Sequence, residues 1–149
     1  MLVHLPDLKA VFVGDVVMPW YGEPWVNEGN VTEASDAIDA VISCGATYVL
    51  HGHHPLTQMF GADELVEFRD IQRWLVAFTK EKISNGFSAK EIVRLNPVPE
   101  ELLQHPNLYL AFLASRDTII LRTASTMTGI WREDSTCLLY TSPSPRDRG

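Results

Sequence analysis

Two short polar motifs, each directly after an apolar run, are the parts of this chain best suited to chemistry. A Gly-Asp pair ending at Asp15 follows Lys9–Val13, and a histidine-rich turn at residues 51–55, His-Gly-His-His-Pro, follows Thr47–Leu50. A carboxylate and an imidazole at the ends of neighbouring strands are ligands that a metal-dependent hydrolase uses at the edge of a sheet. We therefore predict that Asp15 and His53 bind a metal.

Each predicted ligand also has an ordinary structural interpretation. Aspartate is common where a strand ends, because its side chain can accept a hydrogen bond from a nearby amide. A single histidine in a tight turn is more often hydrogen-bonded than metal-bound. The combination favours metal binding, because three histidines within four residues would fill a core poorly and present ligands well. We expect the other two, His51 and His54, to support the ligands or to lie at the surface.

The elements that would position these motifs are predicted to be strand, loop, helix and strand. Both apolar runs have the composition of short buried strands. Between them, apolar residues at helical spacing predict a helix from about Glu33 to Cys44, with Asn30 or Thr32 as its cap. This order is typical of an α/β fold.

An apolar loop lies between the first predicted strand and this helix. It contains three large aromatic residues, Trp20, Tyr21 and Trp25. Their side chains either line a substrate pocket or anchor the loop to the core. We consider them candidate substrate-binding residues.

The second half of the chain has helical patterns. Apolar residues recur at three- and four-residue steps over Ala62–Lys82, which predicts a long amphipathic helix. Ser88 and Glu91 have the spacing of a capping box, so a short helix is expected to begin there. One more turn is expected at Glu100–Gln104. The apolar segment Leu108–Leu121 is either a buried helix or an interface helix, and its periodicity does not decide between them.

Composition limits the possible partners and locations. The formal net charge is −7 and the sequence pI is about 5.1, so nucleic acid is not an expected partner. No targeting segment and no membrane-spanning window is recognisable, so we expect a soluble protein that does not bind membranes. Cys44 and Cys137 are far apart and lack the spacing of a zinc knot or a disulfide framework.

Two segments resemble the metallo-β-lactamase fold hydrolases. Residues 12–17, Phe-Val-Gly-Asp-Val-Val, are similar to the family's strand and Gly-Asp segment, and residues 49–55 are similar to its later GHGP histidine turn. The resemblance implies that Asp15 bridges two divalent metal ions and that His53 is the last histidine ligand. Carboxylate and imidazole ligands suit zinc, iron and manganese, and zinc is the expected metal.

The resemblance also divides the chain into parts. Residues 1–60 correspond to the C-terminal part of an αββα core. Residues 87–93, Phe-Ser-Ala-Lys-Glu-Ile-Val, with Pro97 and residues 128–131, Thr-Gly-Ile-Trp, resemble alkyl-sulfatase-like members. This resemblance implies that residues 61–135 form the mostly α-helical dimerisation region of that branch. Residues 136–149 resemble a translated sequencing adapter and are expected to be a disordered, non-native tail. The family's HxHxDH motif has no match, and the turn carries histidines where the family has smaller residues. We therefore expect a fragment that is inactive alone.

The function implied for the intact parent is hydrolysis of small ester-type substrates, alkyl sulfate esters among them, by a hydroxide that the two metals activate. Such a parent is expected to be a homodimer through its helical region. The alternative is a non-catalytic helical dimerisation or interaction module with a vestigial metal site. Dependence on metal distinguishes the two hypotheses, because an interaction module needs neither Asp15 nor His53.

Overall fold

A computed structural model describes residues 2–17, 30–52 and 61–129. Within these ranges the chain is mixed α/β and mostly helical, with one small sheet. The elements are β1 (Val3–Leu5), β2 (Ala10–Gly14), α1 (Ala34–Ser43), β3 (Tyr48–His51), α2 (Ala62–Ser84), α3 (Ala89–Arg94) and α4 (Pro106–Thr128). Short 3₁₀ helices lie at Pro6–Leu8, Val31–Glu33 and Glu100–Gln104. Of the helices described, none is long and apolar enough to cross a membrane.

The sheet has the strand order β1-β2-β3, with β1 antiparallel and β3 parallel to β2. A parallel pair needs a crossover connection, and α1 lies in that connection. One face of the sheet packs on α1 through a cluster of fully or nearly fully buried side chains. These are Val11, Val13, Val17, Ile38, Val41, Val49 and Leu65.

The opposite face of the sheet is apolar and exposed. Val3, Phe12 and Leu50 lie in one row across the three strands, and Leu5 and Tyr48 flank Ala10 in the next row. Exposure of the five large side chains ranges from 37% for Leu5 and Phe12 to 60% for Tyr48. Sheets with parallel strands are usually covered on both faces. This exposed face is as apolar as a sheet face that is normally buried.

A second hydrophobic cluster lies among α2, α3 and α4. Its fully buried members include Phe68, Leu75, Ile92, Phe112 and Ile120. Residues of α4 are buried at 108, 111, 112, 115, 116, 119, 120, 123 and 124, more than half of the helix circumference. The apolar segment at 108–121 is therefore a buried helix.

Local signals in the sequence predict the start of α3 correctly, whereas the cap predicted for α1 belongs to the 3₁₀ helix before it. The Ser88 amide donates to the Glu91 carboxylate at 2.8 Å, and the Glu91 amide donates to Ser88 Oγ at 3.3 Å, so the predicted capping box is present. The Asn30 side chain accepts from the Thr32 amide at 3.1 Å and caps the 3₁₀ helix that precedes α1. The strand predicted from Lys9 begins one residue later, because Lys9 adopts a left-handed conformation with φ of 48°.

The two clusters are joined by α1 and α2. Val31, just before α1, belongs to the helical cluster, and Leu65 of α2 belongs to the sheet cluster. Beside them Asp39 of α1 accepts hydrogen bonds from Arg73 and, at 2.9 Å, from Arg69, both on α2. The hydrogen bond from Arg73, with that from Arg69, holds the pKa of the Asp39 carboxyl below its usual range.

The contact between α1 and α2 should be sensitive to acid. Because the pKa of Asp39 is lowered in the folded chain, its carboxylate stabilises the fold above its unfolded-state pKa. That contribution is lost as the pH falls through the folded-state pKa. Between about pH 6 and pH 2, urea unfolding midpoints should therefore fall more steeply for the wild type than for Asp39→Asn.

A matched control is Asp36→Asn, one turn earlier on α1. Asp36 lies 3.5 Å from Arg73 and its side chain is 72% exposed, so this variant should keep the wild-type pH slope. Equal slopes for the wild type and Asp39→Asn would show that the Asp39 contacts do not stabilise the fold.

Candidate metal centre

The C-terminal ends of β2 and β3 lie side by side. Phe12 pairs with Leu50 and Gly14 pairs with His51, with an irregularity in the register between Phe12 and Gly14. The Gly52 amide then donates to the Gly14 carbonyl at 3.0 Å, one residue beyond β3. This bond brings the Gly-Asp motif and the start of the histidine-rich turn to the same edge of the sheet.

A turn at Gly14 directs the chain out of the sheet. Gly14 has a φ of 57°, in the left-handed region that favours glycine, and the Val16 amide donates back to the Val13 carbonyl at 3.2 Å. The turn leaves Asp15 exposed, while Val17 is fully buried in the sheet cluster. A carboxylate is thus presented at the strand end.

The Asp15 carboxylate lies against the backbone of Gly52. A Cβ placed on Gly52 would lie only 2.7 Å from Asp15 Oδ1 and 3.7 Å from Asp15 Cγ. The carboxylate therefore occupies space that a side chain at position 52 would need. This contact links the two motifs through side chain and backbone as well as through the strand pairing.

His51 is buried. It is 5% exposed, and the alternation of β3 puts it on the same face as Val49, towards α1. Of the two alternatives expected for His51, a surface position is wrong, because a strand-terminal residue on the helix side of the sheet is covered. Support of a metal ligand by His51 stays a prediction. A buried imidazole at the end of β3 and an exposed carboxylate at the end of β2 share one edge.

Several predicted site residues lie outside the described residues. They are His53 and His54 of the turn and the aromatic residues Trp20, Tyr21 and Trp25. Their assignment as metal-binding or substrate-binding residues stays a prediction. His53 is the next residue in the sequence after Gly52, whose contact with Asp15 is described.

The donor set suits a divalent cation but is incomplete within the described ranges. Over residues 2–17, 30–52 and 61–129, no group of three His, Cys, Asp or Glu side chains is arranged to hold a metal ion. Tight binding normally needs three or four ligands in fixed geometry. A metal ion bound tightly at Asp15 would therefore require further ligands from outside these ranges.

Sequence reasoning missed the part played by Gly52. The residue stands between two histidines, where the pattern drew attention to the imidazoles. Its close approach to Asp15 is a contact between two strands about forty residues apart in sequence, which no local pattern encodes. A glycine directly after a strand, opposite another strand-terminal motif, was the available signal.

Comparison with known proteins finds no matching family model, no matching curated protein and no matching solved structure. The metallo-β-lactamase resemblance therefore rests on the two motifs alone.

The exposure of the site residues predicts unequal effects on stability. Asp15→Ala should change the free energy of unfolding by about 1 kcal/mol or less, because Asp15 is exposed. His51→Ala should destabilise by about 2 kcal/mol, because it empties a buried position. Urea unfolding of both variants checks this. A larger loss for Asp15→Ala than for His51→Ala would mean that the carboxylate, rather than the imidazole, holds this edge together.

Proposed function

We propose that this chain is part of a metal-dependent hydrolase of the metallo-β-lactamase fold that cleaves ester-type bonds. In this proposal the sheet and α1 belong to the C-terminal part of an αββα core. The helices α2, α3 and α4 belong to a helical dimerisation region like that of alkyl-sulfatase-like members.

The observation that carries the proposal is the meeting of the two motifs at one sheet edge. The backbone bond from Gly52 to Gly14 and the contact of Asp15 with Gly52 join segments that the sequence separates. Sites in α/β sheets form at the carboxyl ends of adjacent parallel strands, and this edge is such a place.

Asp15 and His53 would hold the metal. When bound, two divalent ions, zinc by resemblance, would polarise the ester and lower the pKa of a water molecule. The chain's own part is to fix the carboxylate at the end of β2 and to place the buried His51 side chain at the end of β3. Further ligands would come from outside the described residues.

The proposed substrate is a small ester-type molecule, with alkyl sulfate esters the class that the resemblance favours. Trp20, Tyr21 and Trp25 would bind an apolar part of the substrate.

Manganese binding followed by NMR tests the proposal even if affinity is low. Mn²⁺ suits carboxylate ligands and broadens the signals of nearby nuclei. In the ¹⁵N-labelled chain, added Mn²⁺ should broaden the amide signals of Asp15 and Gly52 selectively. Asp15→Ala should abolish this broadening, and in the intact parent the same substitution should abolish turnover.

The matched control is Asp7→Ala, which removes another exposed carboxylate, from the 3₁₀ helix between β1 and β2. It should leave the broadening at Asp15 and Gly52 unchanged. Broadening that persists in Asp15→Ala, or that never affects the Asp15 amide, would remove the basis of the metal site.

A second candidate function, a helical dimerisation module, is favoured by an exposed aromatic surface on α2. Trp74 is 37% exposed and stacks on Phe78 with ring centroids 5.4 Å apart. The Lys82 ammonium lies 5.1 Å from the centroid of the Phe78 ring and 6.0 Å from the centroid of the Phe87 ring. Phe87 is 40% exposed. Aromatic side chains of this kind are common at the centres of protein interfaces.

The oligomeric state of Trp74→Glu tests this second candidate. Size-exclusion chromatography with light scattering should give a dimer for the wild type and a monomer for the variant, with circular dichroism unchanged. Leu75 is fully buried within its own chain, so a charge there would unfold the protein and is not a test of the interface. A wild-type monomer, or a folded Trp74→Glu dimer, would count against dimerisation through α2.

A further inference from the structure

The two glycines that are hydrogen-bonded at the site are required for different reasons. Gly14 has a φ of 57°, and in the described part of the chain nothing lies within 4 Å of a Cβ built on it. Gly14 is therefore required for its conformation. Gly52 is not among the residues with positive φ, so it is not required for a left-handed backbone conformation. Glycine is needed at position 52 because space for a side chain is lacking there.

The Asp15 carboxylate fills the space that a side chain at position 52 would need. A Cβ on Gly52 would lie 2.7 Å from Asp15 Oδ1, closer than real Cβ contacts. The next atoms, Asp15 Cγ and the Gly14 carbonyl carbon, would lie 3.7 and 3.8 Å away, which is ordinary van der Waals contact. The end of the Asp15 side chain is thus the only one of these three atoms that a methyl group would force to move.

We propose that Gly52 is a positioning residue for Asp15. Its missing side chain lets the Asp15 carboxylate lie against the end of β3, in the orientation from which it would bind metal. The steric part of this inference stands on the described contact alone. The metal-binding part rests on the function proposed above.

In Gly52→Ala, we expect the Asp15 side chain, and not the backbone, to move. Asp15 is exposed and its side chain has other rotamers, whereas the Gly52 amide bond to Gly14 belongs to the end of the sheet. Alanine keeps the amide that makes this bond. The variant should therefore keep the fold and displace the carboxylate.

A double-mutant cycle between positions 52 and 15 measures the contact without any metal. Gly52→Ala should lower the urea midpoint in the wild-type background and should lower it less, or not at all, in Asp15→Ala. The matched control is Gly14→Ala, whose cost comes from backbone strain and should be the same in both backgrounds. If Gly52→Ala alone does not fold, adding Asp15→Ala should restore folding.

The Asp15 ¹³Cγ chemical shift and the Mn²⁺ titration supply readouts that a purely structural glycine would not change. Gly52→Ala should shift the ¹³Cγ signal and weaken Mn²⁺ binding at Asp15 by about tenfold or more, as for other residues that orient a ligand.

The outcomes separate the two proposals. Coupling in the cycle without Mn²⁺ broadening in the wild type would support the positioning contact and refute the metal function. Absence of coupling, or failure of the double variant to fold, would refute the positioning contact whatever Mn²⁺ does. Wild-type Mn²⁺ affinity in a folded Gly52→Ala variant would show that the contact does not orient a ligand.

Discussion

Parallel pairing of β2 with β3 is the constraint on which the rest of this structure depends. A parallel pair cannot be joined by a tight turn, so the chain must pass through α1 before it returns as β3. The crossover covers one face of the sheet. It also brings the carboxyl ends of both strands to one edge, where Asp15 meets Gly52. The same pairing that forms the core therefore produces the candidate site.

The sheet is too small to be stable without its helices. Strands of three to five residues give little pairing energy, and one apolar face remains exposed. Stability therefore depends on α1 and on the contacts of α1 with α2, where buried Leu65 and the charged group around Asp39 connect the layers. The position of the Asp15 carboxylate thus depends indirectly on a helix whose surface also carries the proposed dimer contact.

The sequence predicted what local signals encode and missed what depends on distant contacts. The capping box at Ser88, the β2–α1–β3 order and the long helix α2 were predictable, because caps and periodicity act within a few residues. Strand β1 was not predicted, since three residues give no usable alternation. The periodicity of α4 does not distinguish a buried helix from an interface helix, because its buried positions extend over most of its circumference. The burial of His51 and the contact of Gly52 with Asp15 depend on strand pairing, which a single sequence does not reveal.

The close approach at the sheet edge has a consequence for how this protein can change over time. Positions 15 and 52 are separated in sequence but share one volume, so their substitutions are not independent. A lineage that keeps the Asp15 carboxylate in its present position must keep the glycine, because a side chain at position 52 would displace the carboxylate. One that has lost the acid is free to accept alanine or serine at position 52, because that backbone has no need of a left-handed conformation. A side chain at position 52 is therefore expected only in proteins whose residue 15 has lost the carboxylate or holds it in another position.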